Sequence, residues 1–457
     1  MRPVVLAPSF PRRADASDGQ SVYVVEAAHA LAALRGERLQ AIALRLGSEP
    51  ATEADGAIDV ERIEPGASIA TPFSLYEAAH FERVMERFAR EALARIPPGA
   101  PVLLHGYELG PLAHLLAARG HRVVAVLHYL LAQESERYLA GAHDAFRRSV
   151  MPGALGALGA RLPARARAPF VRAASAGARW SARAGLSRVA ARLGGPGAIV
   201  AHQLAKLAME RQLVRSADVV VGVSAGFADA IRRFYPGARV EHCHAGRPEE
   251  VEVAPWTPSA RLRLLAVGRP TPQKGWDVLA SALAELERTR PEVADRLEVT
   301  LVGGGEWAGP HSAFASRTHE ALRALRRVEV RDAGRLPHAE VLARYAETDA
   351  LVLPSDYEPF GLVVLEAMAA GCPVLSFATD GPRDLLADGQ SGWLVPLAPW
   401  PERARSLAGS LASLATLDEA TLRARRRAAR ARAESFSWSR TAAAHAAWLE
   451  GARPPRP

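Results

Sequence analysis

Residues 355–377 read SDYEPFGLVVLEAMAAGCPVLSF and carry two glutamates, Glu358 and Glu366, with seven residues between them. The first stands at the mouth of a Pro359-Phe360-Gly361 turn and the second inside an apolar run. A carboxylate only accepts hydrogen bonds, so one set in an apolar segment needs donors, and a polyhydroxylated ligand supplies them. A second stretch, AVGRPTPQKGWDVLASAL at 266–283, sets Arg269 and Lys274 between Gly268 and Gly275. An arginine fork and a lysine point charge together suit a diphosphate. Lys274 also stands out in a chain whose only other lysine is Lys206. Taken singly, each group has a plainer reading. Glu358 could cap a helix, Glu366 could lie half-exposed, and the two cations could be solvated loop residues.

The elements around these groups decide what they can reach. ALVLPS reads as a strand, SDYEPF as the loop at its carboxyl end and GLVVLEAMAAG as a helix. Pro359 and Gly361 permit a tight turn, so the amides of Phe360, Gly361 and Leu362 can meet a ligand at a helix N-terminus, where anions are favoured. RLRLLAVGR, LEVTLVGGG, VEVRDAGRL and PVLSF are further strands, and WDVLASALAELERTR and HAEVLARYAET are helices. In the first half VVLAP, PVLLH and HRVVAVLHY alternate with helices, one from about Ser21 to Arg35. Continuous apolar strands alternating with helices mean parallel α/β architecture. AGRPEEVEVAPWTPS at 245–259 reads as a linker, so residues 1–250 and 260–430 form two Rossmann-like domains, and 431–457 a C-terminal helix packing back toward the first.

Taken in order, VGRPTPQKGWDVLASAL, LVGGGEW, the run from DAGRLPHAEVLARY to SGWLVP, and ESFSW resemble the nucleotide-sugar domain of the group 1 (family 4) retaining glycosyltransferases. The resemblance is dense over residues 263–396 and looser before them. It implies a GT-B fold, two Rossmann-like domains facing a cleft, and transfer of a sugar from a nucleotide-diphosphate donor without metal or cofactor. Glu358 then binds donor-sugar hydroxyls and Glu366 the ribose. Arg269 and Lys274 hold the diphosphate, and the amides of Phe360, Gly361 and Leu362 the sugar and phosphate. Gly303, Gly305 and Leu336 border the base. Gly19 stands in the place of the family's first glycine-rich loop, with Gln20 where a second glycine is commoner. His128 matches a histidine near the donor sugar, and its plainer reading is a core histidine satisfied by the backbone. The acceptor is a glycan, a lipid-linked molecule or a small molecule. Alternatives within the resemblance are a non-catalytic nucleotide-sugar-binding or scaffold member and another GT-B enzyme such as a nucleotide-sugar epimerase. A phosphorylase of this fold needs a lysine-bound pyridoxal phosphate, which two lysines do not favour.

Bulk composition agrees with a globular protein. The chain has 457 residues, enough for two cores, and 49% are hydrophobic. Cys243 and Cys372 are the only cysteines, which leaves no disulfide framework or cysteine-rich metal site, although His242 and His244 flank the first. The apolar stretch after Met1 is too brief for a secretory signal, and no apolar run approaches bilayer length, so a cytoplasmic protein is expected. The net charge of +8 is 57 minus 49, and residues 145–195 alone hold ten arginines and no acid. This insertion, about 143–197, reads equally as a peripheral contact with an anionic membrane face or as a solvated linker. Nucleic acid is not expected, since no binding motif accompanies the charge.

Overall fold

The computed structural model describes residues 1–16, 18–65, 81–139, 195–249, 251, 255–303, 312–386, 389–399 and 402–454, with isolated positions between 163 and 173. Gly305 and most of the Arg-rich insertion therefore lie outside the described residues. Two compact units emerge, one drawing on Met1–Ala140, Ala160–Gly246 and Ser437–Pro457, the other on Arg247–Phe436. The division falls between Gly246 and Arg247, and the last helix, Trp438–Leu449, belongs to the first unit.

In the first unit the strands are β1 (Val4–Leu6), β2 (Leu39–Leu44), β3 (Thr52–Asp55), β4 (Ile58–Ile63), β5 (Val102–His105), β6 (Val123–Leu127), β7 (Val219–Gly222) and β8 (Val240–His242). They lie in the order β3-β4-β2-β1-β5-β6-β7-β8, parallel except for the β3–β4 hairpin. β1, β5, β6 and β7 are buried along their whole length, as apolar strands covered on both faces must be. The edge strand β3 shows the opposite pattern, TEAD with alternate residues exposed, which suits a sheet margin. The first helix runs Gly19–Arg35 and so begins two residues before the expected Ser21. Asp18 accounts for the difference, because its carboxylate accepts from the N–H groups of Gln20 and Ser21 and caps the helix there.

The second unit contains β9 (Leu262–Val267), β10 (Leu297–Val302), β11 (Glu329–Asp332), β12 (Ala350–Leu353), β13 (Val374–Phe377) and β14 (Gly392–Val395), in the order β11-β10-β9-β12-β13-β14 and all parallel. Trp276, Leu279 and Leu283 of the helix Trp276–Thr289 pack with Val299 and Leu301 of β10 and Val352 of β12 in its core. The chain passes from β9 out to β10 and β11, then returns to the other side of β9 as β12. That reversal leaves a crevice at the carboxyl ends of β9 and β12, where open α/β sheets bind ligands.

Asp349 fixes the opposite end of the same strand pair. Its oxygens accept from the Arg263 backbone N–H at 2.6 Å, the Arg263 guanidinium at 3.0 Å and the Trp256 indole at 2.6 Å. At the crevice end, Gly275 opens the helix Trp276–Thr289 at φ +68, and a Cβ there would stand 1.9 Å from the Pro354 carbonyl oxygen. Left-handed backbone and backbone contact both forbid a side chain. Gly275→Ala is expected to lower stability by roughly 2 kcal/mol or more, since strain and clash add. Denaturant unfolding followed by tryptophan fluorescence checks this, and an unchanged midpoint would mean the two loops are not held this closely.

Candidate donor site and a neutral histidine cluster

The crevice of the second unit is built from two loops stitched together by hydrogen bonds. The Asp356 N–H donates to the Gln273 carbonyl at 3.1 Å, and the Gln273 side chain donates to the Tyr357 carbonyl at 3.0 Å. Lys274 Nζ then donates to Glu358 Oε2 at 2.7 Å. Both side chains of this pair are largely buried, so each charge is compensated mainly by the other. The buried Arg403 guanidinium reaches Asp356 Oδ2 at 3.3 Å and braces the loop from behind. The Gly381 N–H ties the Glu358 carbonyl at 2.9 Å.

The helix Leu362–Ala369 follows directly. Gly361 caps it at φ +91, a conformation that suits glycine, and Leu362 is its first helical residue. Phe360 is buried just ahead of it. Glu366 lies on that helix and is buried, not half-exposed. His338 Nε2 stands 2.9 Å from its Oε1, and the Tyr345 hydroxyl donates to its Oε2 at 3.3 Å. Burial, and then the Glu366 charge, hold the Tyr345 phenol well above its usual range, so it remains a donor. Arg269 is exposed immediately beyond β9. Gly303 follows β10 directly, and its N–H donates to the Gly334 carbonyl at 2.7 Å, which sets Gly303 beside the Gly334–Leu336 stretch.

The structure thus unites Lys274 with Glu358 and places Glu366 one helix away. The sequence reading omitted Gln273, Asp356, Arg403, His338 and Tyr345. Of these, His338 and Tyr345 had a usable signal, because a seven-residue spacing in HAEVLARY puts both on one helical face.

In the first unit, the ends of β5 and β6 bring His105 and His128 together, Nδ1 to Nε2 at 3.2 Å, with rings stacked at 5.4 Å. Tyr23 packs edge-on against His128 at 4.8 Å, and its hydroxyl lies 3.4 Å from His445 Nε2. Desolvation pushes His128 down to about 3 and His445 down to about 4, and His105 well below its usual value. His128 is therefore a neutral imidazole bonded to a second histidine, not to the backbone. Gly19 is the first residue of a helix whose next two N–H groups Asp18 already occupies. Among the described residues no three His, Cys, Asp or Glu side chains gather as a metal site, and no helix is long and apolar enough to cross a membrane.

Residues 254–432 match the model of the family described as glycosyl transferases group 1, a span that includes Arg269, Lys274, Glu358 and Glu366. The second unit is similar to group 1 glycosyltransferases over most of its length. The chain is 37% identical over 268 residues to glycogen synthase of Mycobacterium tuberculosis, covering 55% of this chain and 59% of that one. It is 33% identical over 257 residues to D-inositol 3-phosphate glycosyltransferase 2 of Catenulispora acidiphila, covering 53% and 58%. The chain thus spans a little under three fifths of these curated relatives. Among solved structures it resembles sucrose-phosphate synthase from Thermosynechococcus elongatus, with TM-score 0.69, 19% identity and 99% of each chain covered. It also resembles an alpha,alpha-trehalose-phosphate synthase (UDP-forming) from Burkholderia vietnamiensis, with TM-score 0.62, 14% identity and coverage of 98% and 99%. These likenesses fix the fold as GT-B, with two parallel-sheet α/β domains.

The histidine cluster generates a pH dependence whose sign is definite. An unfolded chain protonates histidine below about 6.5, whereas the folded chain resists it. The histidine contribution to stability is therefore full above about 6.5 and is lost as pH falls toward the folded values near 3 and 4. Glu210, pushed up to about 7 by burial, acts in the opposite sense and offsets one histidine. Between pH 6.5 and 5, His445→Gln is expected to flatten the slope of stability against pH by up to one proton, about 1.4 kcal/mol per pH unit. Denaturant melts of both proteins across that range check it, and equal slopes would show that His445 titrates normally.

Proposed function

We propose that the chain is a retaining glycosyltransferase that moves a sugar from a nucleotide-diphosphate donor to a glycan, lipid-linked or small-molecule acceptor. The observation that carries the reading is the Lys274–Glu358 contact at 2.7 Å, made by two loops at the β9–β12 crevice inside the span that matches the family. An anion-binding cation and a hydroxyl-binding carboxylate side by side suit the junction between a diphosphate and a sugar.

Breaking the glycosyl–phosphate bond develops negative charge on the departing diphosphate. Lys274, Arg269 and the amides at the start of the helix Leu362–Ala369 stabilise that charge in this reading, a kind of preorganised electrostatics that contributes heavily to catalysis. No metal or cofactor is required for the step. Retention follows if the departing phosphate oxygen takes the acceptor proton on the same face, with Glu358 orienting the sugar and not attacking it. Glu366 receives the ribose hydroxyls, and Gly303 and Leu336 border the base. Neutral His128 is suited to a hydroxyl contact, and the first unit is assigned the acceptor. The (UDP-forming) neighbour makes UDP-sugars the first donors to try, followed by GDP- and ADP-sugars.

Lys274→Ala and Arg269→Ala are each expected to lower turnover about 100-fold or more, since each removes charge aimed at the leaving group. Steady-state kinetics with the best donor of the panel test this, and near wild-type rates for either variant would remove its diphosphate role. Turnover is expected to survive EDTA, and loss restored by Mn²⁺ would contradict the metal-free step.

The two glutamates are expected to fail differently. Glu358→Gln should lower kcat about 100-fold and leave UDP or GDP affinity equal or slightly tighter, because Lys274 is released from its carboxylate. Glu366→Gln should mainly weaken free nucleotide. Calorimetry beside kinetics separates them, and matching profiles would show the roles misassigned.

A further inference from the structure

Glu366 is held from one neighbouring helix at both of its oxygens. His338 and Tyr345 both lie on the helix His338–Glu347, seven positions and therefore two turns apart on one face. His338 Nε2 meets Oε1 at 2.9 Å and the Tyr345 hydroxyl meets Oε2 at 3.3 Å. A carboxylate cannot donate, so the contact at Oε1 requires His338 to carry its proton on Nε2. Each carboxylate oxygen has room for a second donor. The two contacts thus fix the carboxylate plane and leave one accepting position on each oxygen.

Two adjacent accepting positions match a pair of vicinal hydroxyls. The side chains differ in exposure, and this separates a structural role from a ligand role. Tyr345 is fully buried, whereas the His338 side chain is 42% exposed and that of Glu366 only 9%. An exposed imidazole contributes little to the core, yet it is aimed at a buried carboxylate.

We infer that His338 is a positioning residue for nucleotide recognition. It orients Glu366 so that the carboxylate accepts both hydroxyls of the donor's ribose, with Tyr345 holding the second oxygen from beneath. The inference rests on the assignment of Glu366 to the ribose. It goes beyond that assignment by naming the group that gives the carboxylate its orientation, and so its preference for ribose over 2′-deoxyribose.

The test is calorimetric binding of UDP, GDP and their 2′-deoxy counterparts to the full chain and to His338→Ala, His338→Gln and Glu366→Gln. His338→Ala is expected to weaken the ribonucleotides about 10-fold, the scale of one hydrogen bond to a charged group. It should leave the 2′-deoxy forms nearly unchanged, so that the ribose preference falls. His338→Gln, which keeps an N–H donor, should recover part of the preference. His338→Ala combined with Glu366→Gln should bind no more weakly than Glu366→Gln alone. Turnover at saturating donor should hold in His338→Ala, with the loss appearing in KM. Glu366→Gln abolishing the preference while His338→Ala leaves it intact would overturn the inference alone. An unchanged preference in Glu366→Gln would overturn the ribose assignment, and the inference with it. A reduced affinity of His338→Ala for ribo and deoxy forms alike would show a merely structural contact, and would also overturn it.

Discussion

The parallel pairing of β9 with β12 is the constraint from which the rest of the second unit follows. Only Leu264–Ala350 and Leu265–Leu351 are in register, so the pairing is short and both ends need support. Asp349 supplies it at the amino end, where it binds Arg263 and Trp256 and takes part in the first ladder contact. At the carboxyl end the support comes from the loops, through Gln273, Asp356 and the Lys274–Glu358 pair. The same contacts that hold the strands together thus set the chemistry. A stable sheet and a formed site are one arrangement here, and the loops have little freedom to be elsewhere.

Much of this was legible in the residues. Buried parallel strands announce themselves by apolar runs such as ALVL and LRLLAV, and the elements that carry the site begin and end close to where those runs do. Glu358, Glu366, Arg269 and Lys274 could be singled out because charge in a glycine-bounded loop or an apolar helix is chemically conspicuous. What the residues did not disclose was pairing across distance. Lys274 and Glu358 are 84 positions apart, and no local pattern says that the carboxylate will meet this cation before any other. Strand β2 and the β3–β4 hairpin were overlooked for another reason. LQAIAL is a short apolar run of ordinary composition, and TEAD and IDVERI carry too many charges to look like strands until the edge position is known.

The histidines of the first unit show the limit from the other side. His128 was conspicuous because it follows an apolar strand, and its neighbour His105 ends the adjacent one. Parallel registration alone brings the two close, and this much a sequence can suggest once the strands are known. The cluster is completed by Tyr23 from the first helix and by His445 from the last one, more than 400 residues away. Burial of Tyr23, His105 and His445, with His128 partly buried beside them, keeps the imidazoles neutral, so a residue that looks in isolation like a general base is here a polar group with fixed donor and acceptor sides. Its environment, not its type, decides what it can do.

The two glutamates illustrate the same point inside one short segment. Both are buried carboxylates, and both must be compensated. Glu358 is compensated by a cation, and Glu366 by an imidazole and a phenol. A cation that serves as counter-ion to a carboxylate is also attractive to a diphosphate, so under the proposed function the Glu358 environment must change when donor arrives. Lysine then shares its charge, and the carboxylate gains acceptor capacity for sugar hydroxyls at the moment they are present. The donors on Glu366 meet no such competition, because a phenol that stays protonated and an imidazole N–H offer no strong pull on a phosphate across the helix. Under that proposal one carboxylate is responsive and the other fixed. That asymmetry is what a site needs if one group is to follow the reacting sugar while the other holds the nucleotide still.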